Sequence, residues 1–497
     1  MLPSTRTSST PHDPTPDAGS DAPAPENGSG VPAAEAGPAA PATTRNYHLG
    51  RWLAVALALA VLATALLPWE WSFIDDGLML TTLHGNQAQH GWFGGILYDI
   101  LDMYRADKSW GLFRPTFWVF TGTFYLLPVG LAHAVRVGMV VCALAGPLVL
   151  VGKRFTGGPR AAMLVWTAAA LFAGGELFVG IWYPSLQETS GLCFVGLGLL
   201  ATNRRPVVRA LCWLAAAWFK APFAWLLLAY GLALCLRRQT RKLGIVTSLV
   251  SLGTLAAASL MARGGTYTSH LNFSEQTVRA NLNGGFAMLV APLLVVVAGL
   301  AALRPRTELS LAPDKDPTAL VLLAGGAGYL ANLLAWNVGS YYAGPYVYLL
   351  TLGVIFAVVE IGARGLWRLV AALVVPVLLA GSFFATTAQA GHDRMATVAG
   401  LRDCMLRLPD GSVAGTNRHE AWVRLDYIVR EHRANWTGEV VLVEPGKLDG
   451  TDENGKARNL DYFINQPGYG YANPTLMTGP VVCTTPDATV YRVVPPA

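Results

Sequence analysis

From residue 52 to residue 387 the chain alternates between long apolar runs and short basic clusters. The runs 52–68, 133–152, 160–179, 186–202, 243–262, 284–303, 318–337, 343–361 and 366–387 each approach the ~20 residues that an α-helix needs to cross a bilayer. Between them lie Arg45/Arg51, Lys153/Arg154/Arg160, Arg204/Arg205/Arg209, Arg237/Arg238/Arg241/Lys242, Arg304/Arg306/Lys315 and Arg364/Arg368. Arginine and lysine mark the cytoplasmic ends of spans. An even number of passes is therefore expected between neighbouring clusters.

That parity decides two ambiguous stretches. A third apolar stretch, 115–131, also lies between Arg51 and Lys153, and three crossings would carry Lys153 outside. Residues 115–131 are therefore expected to form a juxtamembrane or re-entrant helix inside one long outer loop, 69–132. Between Arg205 and Arg237 a single apolar stretch is interrupted by Lys220-Ala221-Pro222. A short hairpin with Lys220 at its outer tip keeps both flanking clusters inside. Arms of ~14 residues are only ~21 Å long at 1.5 Å per residue, which recesses the Lys220 ammonium. The expected fold is a polytopic α-helical membrane protein of eleven transmembrane helices, N-terminus inside and C-terminus outside.

The two ends have a different character. Residues 1–44 are dominated by Pro, Ala, Ser, Thr, Asp and Gly and contain no aromatic residue. Such a segment buries too little apolar surface to offset its chain entropy, so 1–47 is expected to be a disordered cytoplasmic tail. It lacks the basic start and immediate apolar core of a cleaved signal. After the membrane domain, 48–387, charge rises and the long apolar runs stop. HEAWVRLDYIVREH has helical periodicity, and GEVVLVEP and TVYRVV read as strands. Residues 388–497 are expected to form a small α/β domain on the outer face.

Composition strengthens the membrane reading. The chain is 53% hydrophobic and 13% charged, with a mean hydropathy of +0.39, whereas a soluble protein carries about a quarter charged residues. The net charge of +5 does not point to nucleic acid, because the basic residues sit in short clusters between apolar runs. Cys142, Cys193, Cys212 and Cys235 fall in apolar runs, where a thiol behaves as a small hydrophobe. Cys404 and Cys483 are the two cysteines of the outer domain, and that compartment permits a disulfide between them. Two independent free thiols are the alternative. The two halves of the membrane region show no internal repeat, which disfavours a transporter built from inverted repeats.

Candidate chemistry begins with Asp75 and Asp76 in PWEWSFIDDGL. The plain reading makes one a helix cap and the other a solvated acid. The functional reading makes them a coupled pair, one of which accepts a proton from an acceptor hydroxyl. Arg114-Pro115 opens the next helix, where Arg114 either anchors at the interface or meets an anion. Lys220 either snorkels or binds a lipid-linked phosphate in its recess. Glu188, beside Gln187 in WYPSLQETSG, either complements a helix N-terminus or faces the site. Tyr341, Tyr342 and Tyr346 in NVGSYYAGPYVYLL fit an interfacial aromatic belt. His84, His90 and His270 lack metal-ligand spacing and read as loop histidines. The Asn-x-Ser/Thr triplets at Asn27, Asn272 and Asn435 read as chance occurrences.

In order and topology these motifs resemble the GT-C superfamily of polyprenyl-phosphate-dependent membrane glycosyltransferases. The resemblance covers about residues 50–360. It rests on Asp75 and Asp76 after the first span, the long first loop, Arg114-Pro115, and Tyr183-Pro184 with Glu188. WFKAPFAWLLLAYGLALCLRR is similar to the family's Lys-bearing hairpin, and YYAGPYVYL to its Tyr/Pro segment near the donor site. The chain lacks the WWD motif of the oligosaccharyltransferases, and no Arg-Tyr pair precedes Pro345.

The resemblance implies an inverting glycosyltransferase with Asp75 as general base and Asp76 as its partner. Lys220 and Arg114 would bind the donor phosphate, with Glu188, Tyr341 and Tyr342 near the substrate. A divalent cation is the one cofactor it leaves open. The implied partners are a polyprenyl-phosphate-linked sugar, membrane lipid, and a cell-envelope glycan, lipid or protein acceptor. Actinobacterial arabinofuranosyl- and mannosyltransferases of the superfamily also carry external C-terminal domains, so their donors head the list. A flippase for a lipid-linked sugar is the competing reading, and would use the same acids and lysine. A non-catalytic surface assembly protein is the third.

Overall fold

The computed structural model describes residues 71, 75–154, 186–201, 205–266, 317–334, parts of 345–356, 396–417 and most of 425–494. The expected tail, 1–47, lies outside these residues, as do the runs 52–68, 284–303, 366–387 and the whole of 160–179.

The first helix, α1 (Asp75–Trp110), runs for 36 residues through the stretch expected to be an outer loop. It therefore also places His84 and His90, expected in a loop, on a helix. The helix is broken at Gly91, whose φ of 73° and ψ of 172° lie in a region essentially confined to glycine. Next come α2 (Pro115–Phe124) and α3 (Val129–Arg154). Then follow α4 (Leu186–Leu200), α5 (Pro206–Phe219), α6 (Ala224–Cys235), α7 (Arg241–Ala262) and α8 (Thr318–Leu334). Proline opens α2 and α5, where its fixed φ suits the first helical turn and its missing N–H leaves no bond unmade. α3 and α4 cross at glycines. A Cβ on Gly146 would lie 2.2 Å from the Gly196 carbonyl oxygen, so only hydrogen at these positions permits the approach. Leu144, Leu192, Trp213, Tyr230 and Leu322 fill the core between α3, α4, α5, α6 and α8.

The expectation of eleven membrane-crossing helices is corrected here. Among the described residues two helices are long and apolar enough to cross a bilayer, Val129–Leu150 and Arg238–Ala262. The helices α4, α5 and α6 contain 15, 14 and 12 residues. At 1.5 Å per residue they reach roughly 18–23 Å, against ~30 Å of hydrocarbon. The physical reason is that an apolar run need not be one straight helix. At Lys220 the chain turns extended, with φ −151° and ψ 115°, and passes through a short 3-10 turn, Ala221–Phe223, containing Pro222.

The C-terminal residues build a mixed seven-stranded sheet, which a purely helical bundle would lack. After a helix over 396–407, α9, come β1 (Val413–Thr416), α10 (Leu425–His432) and β2 (Glu439–Val443). β3 (Asp449–Thr451), β4 (Ala457–Asn459), β5 (Tyr462–Asn465), β6 (Val481–Thr485) and β7 (Ala488–Arg492) complete it. The order is β4-β3-β2-β1-β5-β7-β6. β1 pairs in parallel with β2 and β5, and the remaining pairs are antiparallel. GEVVLVEP supplies β2 and TVYRVV supplies β7.

Residues from 48 onward belong to one compact unit, and its cores explain why. Trp71, Leu80, Leu83, Phe124 and Phe219 share one apolar cluster with Leu401, Met405, Leu425, Ile428 and Ile464. His84 of α1 adds a 3.4 Å contact to Glu431 of α10. The other sheet face closes over Val441, Val443, Phe463 and Leu476.

A disulfide joins Cys404 of α9 to Cys483 of β6 across a sequence separation of 79. Closing a loop of that size restricts the unfolded chain by about 4 kcal/mol in the chain-entropy description. Non-reducing peptide mapping of oxidised protein should recover the Cys404–Cys483 pair. Reduction should lower the thermal midpoint of the full chain; alkylation of both thiols without prior reduction would contradict the bridge.

Candidate functional site

Among the described residues, Asp76, Arg136, Glu188, Lys220, Asp107 and Arg114 are charged side chains withdrawn from solvent in three pairs. A buried charge is stable only when paired and hydrogen-bonded, so each partner identifies a constraint on the fold.

Asp76, at the start of α1, is fully buried. Its Oδ1 accepts a hydrogen bond from the Tyr125 hydroxyl at 2.9 Å and from the Arg136 guanidinium at 2.5 Å. Arg136 is fixed in turn by aromatic faces, with its guanidinium carbon 5.5 Å from the Trp71 ring and 5.4 Å from Phe124. Trp71 packs against Tyr125 with ring centroids 5.5 Å apart. His133, also buried, lies one turn before Arg136 on α3. The first turn of α1 is thereby pinned to α3 through charge, hydroxyl and ring contacts at once.

The second pair is Glu188 on α4 with Lys220 at the α5–α6 break, both buried and in direct contact. The break itself aims the lysine. Phe219 stacks on Phe194 of α4 at 5.6 Å. On the other side, the Phe223 ring occupies the place a Cβ on Gly191 would take and meets Tyr329 at 5.2 Å. Lys220 is thus held between two phenylalanines that both grip α4, one turn along from Glu188.

A chain of rings connects the two pairs. Arg136 lies over Phe124, Phe124 stacks on Phe120 at 5.0 Å, and Phe120 meets Phe219 at 5.5 Å, next to Lys220. On the α3–α4 side, the Ser190 hydroxyl sits 3.5 Å from the Met139 sulfur. Carboxylates and cations are therefore set in a shell of aromatic and apolar groups, where electrostatic interactions are stronger than in water.

A third pair lies at the far end of α1. Arg114 donates to both Asp107 oxygens through its Nε and Nη2, and the Trp118 indole N–H donates to the same carboxylate at 2.6 Å. Its guanidinium covers the Phe117 ring at 4.5 Å. Two turns earlier, Asp99 is buried against Gly122 of α2. Its Oδ1 has no hydrogen-bond partner among the described residues. Burial, and then repulsion from Asp102, raise the Asp99 pKa from 3.8 to about 7. Asp102 itself accepts from Asn86 at 3.0 Å and from Arg105 at 2.9 Å.

The sequence-chosen residues therefore fall into separate places. Asp76 and Lys220 belong to the ring-linked pairs, and Glu188 is Lys220's partner. Arg114 is committed to Asp107 at the other end of α1. Asp75 opens α1. Tyr341 and Tyr342 lie outside the described residues, while Tyr346 is buried in the helical core. Arg136, Tyr125, Asp99 and Asp107 were missed. Arg136 had a visible signal, a lone arginine inside the apolar run 133–152, which in a membrane span is a functional hypothesis by default. Among the described residues no three His, Cys, Asp or Glu side chains converge as a metal site requires.

Two measurements follow from this geometry. Arg136→Met should destabilise the protein by about 3–5 kcal/mol, because it strands a buried carboxylate; an unchanged thermal midpoint would remove the pair from the list of structural constraints. Between pH 3.8 and about 7 the folded protein holds an Asp99 proton that the unfolded chain has released. Stability should consequently fall as pH rises through that window and level above it, by at most about 4 kcal/mol for a shift of this size. Asp99→Asn should flatten that limb of the profile; an identical limb in the variant would place its origin elsewhere.

No protein-family model matches the chain, and no curated protein is significantly similar to it.

Proposed function

We propose that the chain transfers a sugar from a polyprenyl-phosphate donor to a cell-envelope acceptor outside the cytoplasm. The observation that carries this reading is the Lys220–Glu188 pair, a buried cation presented by a helix break inside an aromatic shell. Such a cation meets the needs of a lipid-linked phosphate, whose head is anionic and whose tail is apolar. Glu188 neutralises Lys220 when no phosphate is present, and the phosphate competes for the same ammonium.

In this reading Asp75 is the general base. It takes the proton from an acceptor hydroxyl, whose oxygen attacks the anomeric carbon as the bond to the donor phosphate breaks. The electron pair of that bond leaves on the phosphate, where Lys220 offsets the charge. Attack from the face opposite the leaving group inverts the anomeric configuration. Asp76 holds the first turn of α1 through Tyr125 and Arg136, so it acts as a positioning residue. Arg114 fastens the end of α1 to the start of α2 and is likewise positioning.

Two further observations support the setting. The row Ile245, Leu249, Leu252 and Leu260 of the span-length helix α7 is exposed, which suits contact with lipid better than contact with water. The Cys404–Cys483 bridge suits an oxidising compartment for the sheet.

The test compares two variants with a synthetic polyprenyl-phosphate sugar. Asp75→Asn should lower transfer by about 10²–10⁴ while leaving donor binding intact. Lys220→Met keeps the apolar stem and should weaken donor binding. Transfer at the parental rate by Asp75→Asn would sink the base assignment, and unchanged donor binding by Lys220→Met would sink the phosphate assignment.

A further inference from the structure

The half of α1 beyond Gly91 has its polarity inside out. Gly95, Asp99, Met103 and Asp107 recur every four residues and are buried. Phe93, Leu97, Leu101 and Tyr104 form the opposite row, exposed by 73%, 57%, 44% and 38%, with Trp92 and Tyr98 beside them. A helix with this face in water would carry the acids outside and the rings inside. Here both acids are enclosed instead, Asp107 by Arg114 and Trp118 and Asp99 against α2. The outward face of this half-helix is therefore its more apolar one.

The place of this helix says what that face meets. Its end rests on the end of α7: a Cβ on Gly265 would lie 2.2 Å from the Gly111 nitrogen, and the Thr266 hydroxyl is 3.5 Å from the Ser109 carbonyl oxygen. α7 is itself span-length, with Leu249 and Leu260 among its most exposed residues. Two helices with exposed apolar residues thus meet end to end at Gly111. Lys108 and Arg263 are exposed in the two segments that meet there, and Arg105 is exposed while bridging to Asp102, giving a rim with a net cationic charge to an apolar face. This combination is that of a helix lying in a membrane surface, rings at the acyl boundary and cations among phosphates.

We propose that the half of α1 after Gly91 lies in the bilayer surface, with Phe93, Leu97, Leu101 and Tyr104 facing the lipid of an anionic membrane. Gly91 is the joint that lets the first half of α1 stay pinned at Asp76 while the second half follows the membrane plane. The proposal rests on the membrane setting adopted above, and its test separates the two. The full chain is reconstituted in phosphatidylcholine–phosphatidylglycerol vesicles with a photoreactive amino acid at Leu97, Leu101 or, as a control on the sheet domain, the exposed Leu448.

Lipid adducts several-fold more abundant at Leu97 and Leu101 than at Leu448 are expected. If the protein resists carbonate extraction but the three positions give equal lipid yields, the interfacial helix is overturned and the membrane setting stands. Adducts from Leu97 to a second polypeptide in place of lipid would also overturn it, making the row a protein interface. Release of the parental protein by carbonate would overturn both.

Discussion

A carboxylate and a guanidinium taken out of water must find each other, and the Asp76–Arg136 contact shows how much of this fold follows from that requirement. Asp76 lies in the first turn of α1 and Arg136 at the start of the third turn of α3. Pairing them sets the distance and rotation between two helices 60 residues apart in sequence. The Tyr125 hydroxyl enters the same contact, which fixes the end of α2. The rings that flank Arg136 are also members of the core shared with α9, α10 and the sheet. A single charge pair thereby has the helical layer on one side and the α/β layer on the other. Replacing it with apolar groups could preserve stability, but it would not specify the same rotation of α1.

The same logic governs Lys220. An ammonium inside an apolar cluster is tolerable only if the backbone can turn it toward a carboxylate, and a regular helix through Lys220 would fix its direction by the 3.6-residue period alone. Pro222 and the extended Lys220 release it from that period. Phe219 and Phe223 then hold the break on α4 at two points, Phe194 and Gly191. The interruption that shortens α5 and α6 is thus what creates the buried cation.

The sequence was most legible where one residue type has few options. Lys220-Ala221-Pro222 announced a break, Pro115 announced a helix start, and GEVVLVEP and TVYRVV announced strands. The number of crossings was misread because an apolar run records burial in something apolar, whether that is lipid or protein. Leu192, Leu227 and Leu322 are wholly buried within the protein, so their runs packed helices shorter than a bilayer requires. The helix α1 inside 69–132 was illegible for the reverse reason. Its second half contains acids on one side of a helix and rings on the other, and nothing in composition says which side faces in. Pair partners were the least legible part. Asp76 and the lone Arg136 each stand out in the sequence, but their pairing does not, because it depends on how α1 and α3 are rotated.

The inverted half of α1 bears on the site through Gly91. If α1 were one straight helix, the anchor at Asp76 and the contact of Trp110–Gly111 with the end of α7 would be rigidly coupled over 36 residues, ~54 Å at 1.5 Å per residue. The glycine joint, with no neighbour within 4 Å of a Cβ at that position, removes that coupling. Each half can then satisfy its own burial rule. The first half turns Met79, Leu80 and Leu83 into the shared core. The second turns Asp99 and Asp107 inward and its rings outward. A carboxyl such as Asp99, held near neutrality by apolar surroundings, is compatible with that second environment in a way that a permanently ionised acid is not. Below about pH 7, protonation of Asp99 removes a charge that the inverted helix would otherwise bury without a paired cation among the described residues.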